Sequence, residues 1–162
     1  MIRWLAPLAA LAIAAFIGFW LILNAVPGLI MGKAMERIQA DGAQINQVVH
    51  VTPTSEDSRR VVRPSPDILY SICLYDVREA PLDVTIPADE DGLIASVSFF
   101  DANTNNFMNL RPEGAARNVQ LGEEIAAPTR TGIVLYRRIL TNRVSMETAE
   151  TQRQAFRCEA AP

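Results

Sequence analysis

The sequence predicts a mainly β fold: an antiparallel β-sandwich with one C-terminal helix, preceded by one N-terminal transmembrane helix. Three observations predict it. Residues 4–23 read "WLAPLAALAIAAFIGFWLIL", with no charged side chain. From residue 68, short apolar stretches alternate with turn-forming clusters, and near the C-terminus "SMETAETQRQAF" changes to helical spacing. Strands at short regular intervals, joined by hairpin-type turns, favour antiparallel sheets.

The first segment matches the roughly 20 apolar residues that a helix needs to cross a hydrocarbon core. It begins at Trp4 and Leu5 and closes at Leu23, with Trp4 and Trp20 towards its ends, where indoles favour the headgroup layer. Pro7 falls near the first turn, where a missing N–H costs least. Asn24, Pro27 and Gly28 are expected to end the helix. The apolar stretch exceeds the usual h-region of a cleaved signal, and Leu23-Asn24-Ala25 lacks the small residue that cleavage needs, so an uncleaved anchor is expected. Arg3 lies on one side of the span and Lys33 and Arg37 on the other, so charge alone does not orient it.

Anchor and exit take residues 1–31, a stalk or linker takes 32–60, and the sandwich takes 61–162. In the stalk, Ala34, Ile38 and Ile45 suggest a helical face that Gly42 weakens. Residues 50–60, "HVTPTSEDSRR", read as a loop or edge segment. "ILYSICLYDV" is apolar on both parities, as a central strand covered on both faces would be. "REAP" makes a tight connection to "PLDVTIP", which alternates with Leu82, Val84 and Ile86 inward. "ADEDG" is a turn around Gly92, "LIASVSFFD" a strand with Leu93, Ala95, Val97 and Phe99 on one parity, "ANTNN" a second turn and "FMNL" a short return strand. Residues 111–131 are polar with one short strand near Asn118, "GIVLYRRIL" is a strand, and Ser145 is placed to cap the last helix.

Of the 162 residues, all 18 acidic and 14 of the 15 basic ones fall from Lys33 onward, a net of −4 outside the anchor. That balance argues against nucleic acid, which needs a concentrated basic face, and no polybasic cluster marks a peripheral lipid-binding surface.

"RPSPDILYSICLYDV", "PLDVTIPADEDGLIASVSFFDANTNNF" and "GIVLYRRIL" resemble domain-of-unknown-function family 1254, in its short bacterial members with one N-terminal membrane helix. The resemblance covers about residues 60–157. It rests most specifically on the Pro-Asp-x-x-Tyr-Ser core of Pro66, Asp67, Tyr70 and Ser71, with Asp76 after it. It implies a jelly-roll-like sandwich and no agreed activity. By the same resemblance the domain often occurs beside, or fused to, a partner domain of family 1214, expected here as a separate subunit.

Cys73 and Cys158 are the only cysteines, and a disulfide between them would pin the C-terminal helix to the sheet. Closing so long a loop contributes on the order of 4 kcal/mol in the chain-entropy model. Asp67 and Asp76 bracket one strand and are too far apart for a catalytic dyad, so structural roles are expected for both. Asp101, Asn103, Thr104, Asn105 and Asn106 form the densest polar cluster, a satisfied turn or a binding site for a sugar, cation or partner. Of Arg137 and Arg138, one is expected to point inward or into an interface and to need Asp67, Asp76 or Asp101. Asp67, Tyr70, Asp76, Asp101, Asn103, Arg137 and Arg138 are therefore the candidate ligand-binding residues. His50 is the sole histidine, and a catalytic pair with Cys73 would need an accessible thiol that a mid-strand position does not offer. No catalytic residue, metal site or cofactor is assigned.

The expected function is a non-enzymatic accessory or binding module in the bacterial inner membrane, N-terminus cytoplasmic and domain periplasmic. Its partners would be the bilayer and a protein, a family-1214-like subunit by analogy. The alternative is an envelope-acting, carbohydrate-directed hydrolase with carboxylates gathered from distant strands.

Overall fold

The computed structural model describes residues 4–54, 64–89, 95–112 and 114–161. The long helix α1 (Leu5–Ala40) precedes β1 (Val48–His50), β2 (Ile68–Asp76), β3 (Leu82–Ile86), β4 (Ala95–Asp101), β5 (Asn106–Leu110), β6 (Arg117–Leu121), β7 (Thr131–Ile139), α2 (Met146–Gln154) and β8 (Arg157–Ala160). A five-stranded sheet in the order β1-β2-β7-β4-β5 packs against a three-stranded sheet in the order β6-β3-β8, and every strand pair is antiparallel. The sandwich expected from the spacing of strands is therefore present.

Alternation builds the core. Cys73, Tyr75, Val97, Phe99, Val134 and Tyr136 of the larger sheet meet Leu82, Val84, Ile86, Val119 and Leu121 of the smaller one, all almost fully buried. Phe156 leaves the end of α2 and stacks on Tyr136, ring centroids 5.0 Å apart. Gly132 is required where it stands, because a Cβ there would lie 2.2 Å from the Phe100 carbonyl oxygen and 2.6 Å from the Tyr75 hydroxyl.

Four expectations change. Pro27 and Gly28 do not end α1, which runs on to Ala40 and closes at Gly42 with φ +99°. An interior proline costs about 3 kcal/mol. Here the helix beyond it packs on the domain and buries Met31, which offsets that cost. Val48–His50, within the stretch read as stalk, joins the sheet as an edge strand against β2. The chain after α2 becomes β8, so Cys158 lies on a strand. Its disulfide to Cys73, with Cα atoms 6.4 Å apart, joins the two sheets and does not pin a helix. Arg3, most of the 50–60 loop, and the Gly92 turn with Leu93 lie outside the described residues.

Candidate functional site: the outer face of the larger sheet

The side chains of β2, β7 and β4 that point away from the core form a second apolar surface. Ile68, Tyr70 and Ile72 of β2 and Ile133, Leu135 and Ile139 of β7 are half-buried. Register sets Ile72 beside Leu135, and Leu135 beside Ser98. It also sets Tyr70 beside Arg137, and Arg137 beside Ser96. Two of the seven candidate binding residues, Tyr70 and Arg137, are thus direct cross-strand neighbours.

Arg137 is half-buried among these groups. Its Nη2 donates to Ser98 Oγ at 2.6 Å, and Ser98 Oγ donates to Asn109 Oδ1 at 2.7 Å. Its Nε is enclosed without a partner. Among the described residues, no carboxylate lies within salt-bridge distance of Arg137. A half-buried guanidinium with no carboxylate beside it among the described residues favours an anion, and its planar fork matches a carboxylate.

Arg138 differs. It points into the sandwich, 1% exposed, and pairs with Asp89 at 2.9 Å, with a further bond to Gln152. The partner is none of the three aspartates expected for it, because the β3–β4 connection carries Asp89 over the β7 end. Asp67 lies in the turn before β2, where its carbonyl oxygen accepts from Leu140 N at 2.7 Å. Asp76, at the other end of β2, takes both its oxygens to Arg78, which holds its carboxyl below the ordinary value. Asp101 accepts from the backbone N–H groups of Asn103 and Asn105 at 2.8 Å and from Asn105 Nδ2 at 2.9 Å. Burial pushes the Asp101 carboxyl up, but these bonds win and hold it low. The turn cluster is thus internally satisfied, with Asn103 exposed at its tip. None of these carboxylates forms a pair, and among the described residues no three His, Cys, Asp or Glu side chains gather as a metal site.

Sequence reasoning missed Ser98, Asn109 and Arg153. Arg153 is buried on α2 and bonds to the Val51 and Tyr70 carbonyl oxygens and to Glu150, locking α2 over the β1–β2 end. Beside it, His50 Nδ1 lies 2.8 Å from Ser71 Oγ. Burial, then the Arg153 charge, lowers the His50 pKa. Strand parity puts Ser96 and Ser98 on one face of β4, and the register of β4 with β7 is what brings that face to Arg137.

The molecule is thus a two-sheet, disulfide-joined β domain following an apolar helix long enough to cross a membrane. The family described as protein of unknown function (DUF1254) matches residues 45–160, and the chain belongs to it. The fold is similar to that of the VPA0106 protein from Vibrio parahaemolyticus, at 12% identity and a TM-score of 0.53. The match covers 86% of this chain but only 38% of that one. Among curated proteins none matches.

Proposed function

We propose that the chain is a membrane-anchored, extracytoplasmic accessory module that binds a protein of the membrane or envelope through the outer face of its larger sheet. The observation that carries this reading is Arg137, half-buried within an apolar surface and without a carboxylate partner among the described residues. Burying a charge is costly unless it is paired. An incoming protein that covers Ile72 and Leu135 and supplies an aspartate or glutamate to Arg137 satisfies both needs. The disulfide supports an oxidising compartment, and with it a cytoplasmic N-terminus and a periplasmic domain in the bacterial inner membrane. By the family resemblance, the protein it binds is a family-1214-like subunit. Confinement by the anchor raises the effective concentration for a membrane partner.

The test places a photo-crosslinking residue at Leu135 in the full chain in native membranes and identifies adducts by mass spectrometry. A single dominant protein is expected, with the adduct reduced roughly 10- to 100-fold by Arg137→Glu, the scale on which losing a desolvated charge pair acts. Crosslinks spread over many proteins and unchanged by R137E would overturn the reading.

A further inference from the structure

The anchor helix is tied to the domain at two places. At its C-terminal end, Gly42 closes the helix, Ile45 bridges Leu74, and Asn46 bonds the Asp76 backbone at both side-chain atoms, at 2.9 and 2.8 Å. About three turns upstream, Gly28 stands against the β4–β5 turn. A Cβ there would lie 3.4 Å from Asn103 Oδ1 and 3.8 Å from the Ala102 carbonyl oxygen. Between the two ties Met31 is buried and α1 touches β7. The helix therefore crosses one end of the larger sheet, from the β4–β5 side to the β1 side, and the apolar half before Gly28 leaves the domain beside that turn.

The uncharged run extends from residue 4 to residue 32, longer than the roughly 20 residues a bilayer core requires. The helix alone does not decide which part lies in hydrocarbon, but the turn does. Its exposed polar side chains at Asn103, Thr104, Asn105 and Asn106 would give up water hydrogen bonds in lipid tails, at a cost of several kcal/mol. Gly28, in contact with that turn, therefore stays at or above the headgroup layer, and the hydrocarbon span falls on the residues before it. We propose that the β4–β5 turn rests on the lipid headgroup layer and acts as the depth stop of α1. The partner is the polar surface of the bilayer, whatever its charge. The exposed tip presents amides and a hydroxyl, and the Asp101 carboxylate is 3% exposed and already bonded. This rests on the membrane reading of α1, and the test separates the two.

The full chain is reconstituted in phosphatidylcholine vesicles, with a fluorophore on Asn103→Cys or, as reference, on Glu147→Cys at the start of α2. Both tryptophans, Trp4 and Trp20, lie on the anchor, so their quenching by chain-brominated lipid reports insertion alone. The expected result is quenched tryptophans together with several-fold stronger quenching of the Asn103 probe than the Glu147 probe by a headgroup nitroxide. The same result is expected when phosphatidylglycerol is added. An Asn106→Cys probe at the strand side of the turn should follow Asn103, which covers the case where the first substitution disturbs the turn. Quenched tryptophans with equal quenching of both domain probes would overturn the depth stop and leave the anchor standing. Contact only with anionic lipid would overturn the charge-independent contact. Unquenched tryptophans would overturn the membrane reading and this inference together.

Discussion

Arg137 and Arg138 are adjacent in sequence and lie on opposite faces of the same strand. The inner arginine meets Asp89 and Gln152 in a closed core. Among the described residues, the outer one donates to a serine hydroxyl and has no carboxylate partner, on a surface of isoleucine, leucine and tyrosine. One side chain type therefore does two jobs, and the difference lies in what faces it. A paired buried charge belongs to the fold, whereas a half-buried charge without a counter-ion marks a surface that the isolated domain leaves unfinished.

The sharpest break of this comparison is Arg138→Ala. It leaves the Asp89 carboxylate buried without its guanidinium and should cost about 3–5 kcal/mol, read as a lower denaturation midpoint with an unchanged slope. Replacing both partners with apolar residues, Arg138→Met with Asp89→Leu, should recover most of that loss, since a packed apolar pair replaces a desolvated ionic one. Next in size is the disulfide. Cys158→Ser, or reduction of the native chain, should cost about 2–5 kcal/mol, because the inner face loses the covalent link between its two sheets.

A smaller effect follows from acid. The folded state lowers the His50 pKa below its ordinary 6.5, so the unfolded chain takes the proton first. The contribution is complete above pH 6.5 and is lost as pH falls through the folded value. Asp76, Asp101 and Glu150 are also held low, and their contributions are lost below their ordinary values of 3.8, 3.8 and 4.5. Thermal melts should therefore show a first decline beginning near pH 6.5 and a second below about 4.5. His50→Gln should flatten only the first. Smallest of all is Arg137→Ala, which should move domain stability by less than about 1 kcal/mol, because no ion pair is lost. A destabilisation as large as that of Arg138→Ala would erase the distinction between the two faces.

Much of this was legible from local pattern. Leu82, Val84 and Ile86 share one parity, as do Ala95, Val97 and Phe99, and both sets are buried, because a strand's side chains alternate. Ser145 was legible as a cap, and its Oγ accepts from Thr148 N at 3.1 Å. The partner of Arg138 was not, since Asp89 sits in a connection with no periodic pattern. The end of α1 was also misplaced, because Pro27 is locally a stop and only the packing of Met31 against the domain overrules it.

By itself the sequence determined an apolar, uncharged helix and a body of short antiparallel strands, because hydropathy and its period act through neighbouring residues. Tertiary structure alone decided which sheets the cysteines join, which arginine is neutralised, and which turn meets the anchor. Each of those depends on strand register and on residues tens of positions apart, and no local preference encodes such distances.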